Sequence, residues 1–139
     1  YKLLNDDGLF LSHGITRSRD WRPEPGSDWV HDHLFPEGDP PSLSSLVTQL
    51  EDGSFEVQDV ENLRAHYAKT CADWVARLRE NREEVLEQIT ERAYRTRLLL
   101  LGLSSLYFEE GKLFLYQVLA NKRMGRPAPL PLTREDLYG

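Results

Sequence analysis

The chain contains one cysteine, Cys71, among 139 residues. A single thiol excludes a disulfide framework within the chain and fits a reducing compartment. No apolar run is long enough to span a bilayer; the greasiest stretch, Leu98–Leu101, is interrupted by charge on both sides. There is no secretory signal, no internal repeat, and no glycine-rich phosphate or dinucleotide loop. Basic residues are outnumbered, with 17 Lys and Arg against 23 Asp and Glu, for a formal net charge of -6. That deficit argues against nucleic acid as the main partner, because a phosphate backbone needs a basic face. It leaves room for a local basic patch at a lipid surface.

What is present is the composition of a globular domain, with 40% hydrophobic and 29% charged residues. The chain opens on Tyr1 and runs at once through Asp6-Asp7-Gly8 into an apolar segment. A domain rarely starts with the tail of one element followed by a buried strand, so this is expected to be the C-terminal piece of a longer protein. Residues 8–15 read as a short, mostly buried strand. Residues 17–41 are rich in Pro, Gly and Arg and form a long loop of the kind that often carries function. It holds Trp21, Trp29 and the pair His31-Asp32-His33. A helix begins at Pro41-Ser42, with Leu43, Leu46, Val47 and Leu50 on one face. Glu51-Asp52-Gly53 stops it, and Phe55, Val57 and Val60 mark a strand whose alternation falters near Val60. Tyr67, Cys71, Trp74 and Leu78 then share one helix face. A second helix runs from about Glu91 to Glu109, with Leu99, Leu103 and Leu106 on one side. Residues 113–119 are a strand, and the proline-bearing tail lies extended. Strands alternating with helices indicate an α/β sheet, and three strands make an incomplete one.

Several side chains are candidates for chemistry. His13 stands at the carboxyl end of the first strand, where ligands of open α/β sheets bind, and Gly14 would let another group approach. A lone histidine there is more often structural. Tyr67 follows His66 at the start of a helix, where backbone N–H groups favour anions; it could equally be a core aromatic. His31 and His33 lack an obvious third metal ligand, so no metal site is expected. Cys71 reads as a small buried hydrophobe. The pairs Glu83-Glu84 and Glu109-Glu110 read as solvated helix faces. The leucine-rich segments 98–106 and 113–119 could be core or could line an acyl-chain cavity, and the pattern does not separate the two.

Five blocks carry a resemblance. They are Gly8-Leu9-Phe10-Leu11-Ser12-His13-Gly14-Ile15, Phe35-Pro36-Glu37-Gly38-Asp39-Pro40-Pro41-Ser42, Phe55-Glu56-Val57-Gln58-Asp59-Val60-Glu61-Asn62-Leu63, His66-Tyr67-Ala68-Lys69-Thr70 with Trp74, and Leu115-Tyr116-Gln117-Val118-Leu119. In order and spacing they resemble the C-terminal half of the cyclopropane-fatty-acyl-phospholipid synthases and the related mycolic acid cyclopropane synthases, over residues 1–122. The resemblance implies the C-terminal portion of a Rossmann-like S-adenosylmethionine-dependent methyltransferase fold, namely its last three strands plus a helical insertion. The implied division is a strand over 1–16, an active-site loop over 17–41, helix and strand over 42–62, a helical insertion over the acyl site at 63–110, a last strand at 111–122 and a tail at 123–139.

The implied activity is methyl transfer from S-adenosylmethionine to the double bond of an unsaturated phospholipid acyl chain, closing a cyclopropane ring. Members of the family hold a bicarbonate ion that acts as general base. Its matching ligands here are His13, the backbone of Ile15 and the Tyr67 hydroxyl. The cofactor-binding residues belong upstream of this chain, so the fragment alone is expected to be inactive. Plant alkaloid N-methyltransferases share the His-Tyr-Ala-Lys-Thr type of block, but the His13 and Ile15 pair favours the cyclopropane branch. Relatives that add a methyl without closing a ring remain an alternative, as does a non-catalytic lipid-binding or oligomerisation fragment. A cytoplasmic enzyme in peripheral contact with the membrane is implied. An exposed half-sheet edge would favour a homodimer.

Overall fold

The computed structural model describes all of residues 1–139 except 21, 23–28, 30–31, 34, 36–38, 124, 126–127, 129, 134 and 136–139. Trp21, His31 and most of the tail beyond residue 123 therefore lie outside the described residues. Among the described residues the order is β1 (Leu9–Arg17), α1 (Leu43–Asp52), β2 (Phe55–Asn62), α2 (Arg64–Glu80), α3 (Arg82–Gln88), α4 (Glu91–Glu110) and β3 (Leu113–Lys122). The three strands form one sheet in the order β1-β3-β2. The last strand runs antiparallel to both neighbours and lies between them, so β1 and β2 are parallel to each other. This is the α/β arrangement expected, with the segment over 63–110 divided into three helices rather than two.

Local chemistry accounts for the element ends. Ser42 caps α1 by accepting from the Ser45 N–H, and Thr90 caps α4 by accepting from the Ala93 N–H. Gly111 ends α4 at φ 72°, the left-handed region that glycine enters without a Cβ clash. The Arg64 guanidinium donates to the carbonyls of Phe108 and Glu109 at 2.6 and 2.8 Å, so α2 caps the end of α4. The faltering pattern near Val60 is a β-bulge. Val57 faces Ala120 and Asp59 faces Leu119, leaving Gln58 as the extra residue. Its amide donates to Asn121 Oδ1 at 2.8 Å.

The two faces of β3 are covered by different helices. Leu113 and Leu115 pack with Phe108, Ala68 and Cys71 beneath α2 and α4. Val118 and Ala120, both fully buried, alternate onto the opposite face. The central strand is buried on both faces, as an internal strand should be.

Two expectations are corrected. Residues 8–15 do not form a mostly buried strand. Leu9, Phe10, Leu11 and Ile15 are each more than a third exposed, and only Thr16 of β1 is buried. The reason is position, because β1 is the edge of the sheet. Nor does His13 stand at the carboxyl end of the strand, for β1 runs on to Arg17 and His13 is its middle residue, because the pairing with β3 continues to Arg17 opposite Leu113.

Candidate active site

The sheet register gathers the site. His13 of β1 lies directly opposite Gln117 of β3, and both project to the α2 side of the sheet. Tyr67 sits in the first turns of α2, which starts at Arg64 immediately after β2 ends at Asn62. The Leu63 N–H bonds to the Leu115 carbonyl at 2.9 Å, and Asn62 Oδ1 accepts from the Arg64 N–H at 2.9 Å. These contacts pin the start of α2 to the sheet and aim Tyr67 at His13. His13 Nε2 and the Tyr67 hydroxyl are 2.7 Å apart. The Tyr67 ring also packs against Phe108, with centroids 5.7 Å apart. The phenol thus has an apolar body held by the core and a polar tip at the surface.

The Ile15 backbone faces away from β3. The Arg17 N–H donates to the Pro41 carbonyl at 3.1 Å, on the side of β1 away from β3. Backbone direction alternates along an antiparallel strand, so the Ile15 N–H, two residues earlier, points to the same free edge. His13 and Tyr67 thus meet on the α2 side of the middle of β1, and the Ile15 N–H faces the strand's outer edge. Gly14 does not make room on this side. Its missing Cβ belongs to the opposite face, where nothing lies within 4 Å.

One neighbour of His13 was missed in the sequence: Gln117 Nε2 lies 3.1 Å from His13 Nδ1. The available signal was a polar residue at the centre of an otherwise apolar strand.

Other candidates fall away from the site. Cys71 is 3% exposed in the core, and burial pushes its thiol above the ordinary value. A protonated thiol surrounded by side chains is a packing group. His33 Nδ1 bonds to the Trp29 carbonyl at 2.7 Å, and its ring stacks on Trp29. Among the described residues no three His, Cys, Asp or Glu side chains converge as a metal site. Between α2 and α4 lies an open groove of about 470 Å³, lined by Trp74, Leu78, Val85, Leu100 and Leu101, with Arg77 and Arg97 also lining it. It continues the helix face that starts at Tyr67. At the start of α4, Arg95 and Arg82 hold the Glu91 carboxyl below its ordinary value.

Comparison with known proteins decides the family. The mycolic acid cyclopropane synthetase profile matches residues 1–118. The chain belongs to the mycolic acid cyclopropane synthetase family. A protein of Pseudomonas putida named "Probable fatty acid methyltransferase" is 34% identical over 139 residues, covering 97% of this chain and 35% of that protein. A similarly named protein of Mycobacterium tuberculosis is 29% identical, covering 86% of this chain and 28% of its own length. The chain thus spans about a third of the length of these curated relatives. Among solved structures, the cyclopropane synthase MmaA2 of Mycobacterium tuberculosis superposes with a TM-score of 0.78 at 24% identity, covering 87% of this chain and 46% of that one. The mycolic acid cyclopropane synthase CmaA1, solved with SAH and CTAB, gives 0.76 at 27% identity with the same coverage. The family chain described here therefore has the fold of part of an S-adenosylmethionine-dependent methyltransferase. No described helix is long and apolar enough to cross a membrane.

Proposed function

We propose that this chain forms the base-holding side of a lipid methyltransferase active site. The substrate is an unsaturated acyl chain of a phospholipid, and the product carries a cyclopropane ring. The observation that carries this reading is the 2.7 Å contact between His13, in the middle of β1, and Tyr67, two residues from the outward Ile15 N–H. S-adenosylmethionine supplies an electrophilic methyl group when bound, and bicarbonate supplies a general base. The cofactor-binding residues are assigned to the rest of the full-length enzyme.

The chain's own residues do the following. The Tyr67 hydroxyl donates to the anion and fixes its place. The Ile15 N–H donates from the strand edge. His13 holds the Tyr67 hydroxyl in orientation, and the ring of Phe108 holds the Tyr67 ring. A base works only within hydrogen-bond reach of the proton it takes, so this placement is the contribution to catalysis. The apolar groove between α2 and α4, with Trp74, Leu78 and Leu100, suits an acyl chain. Exposed Leu99 and Leu106 on α4 suit contact with a bilayer surface.

A second reading is methyl addition without ring closure. It is favoured by a relative named sphingolipid C9-methyltransferase in Komagataella phaffii, 25% identical and covering all of this chain. Incubating the full-length enzyme with unsaturated phospholipid and isotope-labelled S-adenosylmethionine separates the readings. Label in a ring, detected by mass spectrometry and NMR of the fatty acids, supports the first. Label in a branched methyl supports the second, and no label in lipid refutes both.

A further inference from the structure

We propose that Gln117 is a positioning residue that sets the direction of the His13–Tyr67 hydrogen bond, leaving the Tyr67 hydroxyl hydrogen for an anionic ligand. The inference rests on the reading of Tyr67 as an anion donor. The Gln117 amide nitrogen lies 3.1 Å from His13 Nδ1, and an amide N–H₂ can only donate. With the amide nitrogen facing the ring, Nδ1 is the unprotonated nitrogen. The ring proton sits on Nε2, 2.7 Å from the Tyr67 oxygen, and donates to it. The phenol oxygen accepts that bond, so its own hydrogen points elsewhere.

The opposite tautomer would reverse the function. With the proton on Nδ1, Nε2 would accept the phenol hydrogen, and Tyr67 would present only lone pairs to the site. An anion would then be repelled rather than held. The strand register makes the arrangement reliable, because His13 and Gln117 are direct cross-strand partners on one face. On its other side, Gln117 lies opposite Glu61 of β2 in the register. The contact between Gln117 and His13 is the control of histidine tautomer by the hydrogen bond at the second ring nitrogen.

The test is a long-range proton–nitrogen correlation spectrum of the ¹⁵N-labelled full chain, recorded where the imidazole is uncharged. His13 is assigned by the signal lost in His13→Gln. The expected wild-type signal is the Nε2–H tautomer. Gln117→Glu, isosteric but unable to donate, is expected to shift His13 to Nδ1–H. Gln117→Leu is expected to give exchange between the two forms. An Nδ1–H wild-type ring, or an unchanged tautomer in Gln117→Glu, overturns the proposal. Backbone amide spectra report whether each variant is folded, and the wild-type spectrum decides the matter even if neither variant folds. In the full-length enzyme, Gln117→Glu is expected to lower kcat about tenfold with KM for lipid unchanged. If methyl transfer to lipid is absent altogether, the functional reading fails while the tautomer result stands.

Discussion

Replacing Tyr67 by Phe removes one oxygen and leaves the ring. The ring keeps its contact with Phe108 at 5.7 Å, so the core beneath α2 is preserved. The lost bond to His13 is at the surface, where His13 is exposed and water can replace the hydroxyl. The stability change should therefore sit at the low end for a hydrogen bond, about 0.5 kcal/mol. The effect on turnover should be far larger. Removing one donor from a preorganised anion site typically lowers kcat by about 10²–10³, or about 2.7–4 kcal/mol. The assay is initial-rate transfer of labelled methyl to unsaturated phospholipid by the full-length enzyme, with Tm measured on the same preparations. A variant within about threefold of the wild-type rate has lost under about 1 kcal/mol of transition-state stabilisation. That result would refute the assignment of Tyr67 as an anion donor. A large fall in Tm alongside a fall in rate would instead show that the hydroxyl is structural.

Four further outcomes are expected. Phe108→Ala opens a cavity at a residue 1% exposed and should cost about 3–5 kcal/mol, measured by denaturant unfolding. The Thr16 hydroxyl is buried without a hydrogen-bond partner among the described residues. Thr16→Val should therefore raise stability by about 1 kcal/mol in the same experiment, and a loss of that size would reveal a hidden partner. Gly111→Ala places a Cβ at φ 72° and should lower stability by about 1 kcal/mol. The raised Cys71 thiol predicts stability that falls with alkaline pH. Above the ordinary thiol pKa the unfolded chain loses its proton first, so the unfolded state binds fewer protons and unfolding becomes easier as pH rises. Unfolding followed across that range, with Cys71→Ala losing the slope, checks it.

Much of this fold was legible because its signals are local. The i, i+3, i+4, i+7 spacing of Leu43, Leu46, Val47 and Leu50 needs only a helix and one covered face, and Leu50 is indeed buried. Gly111 marked a helix end because one left-handed residue suffices there. The bulge at Gln58 was visible as a broken alternation, although its cause was not. Burial along β1 was read wrongly, and along α4 was left undecided, because hydrophobicity describes a side chain and not what lies against it. Leu11 and Leu99 are as apolar as Leu115, yet they are about half exposed while Leu115 is 2% exposed.

The site divides along the same line. Residue type and order alone marked His13 and Tyr67 and carried the family resemblance. The sequence also made the α/β class plain, through strands and helices that alternate. Only the tertiary structure decided which groups meet. It inserted the last strand between the first two, and so brought Gln117, 104 residues away, against His13. No local pattern encodes that distance, because the pairing of two strands is set by the register of the whole sheet and not by the residues adjacent in the chain.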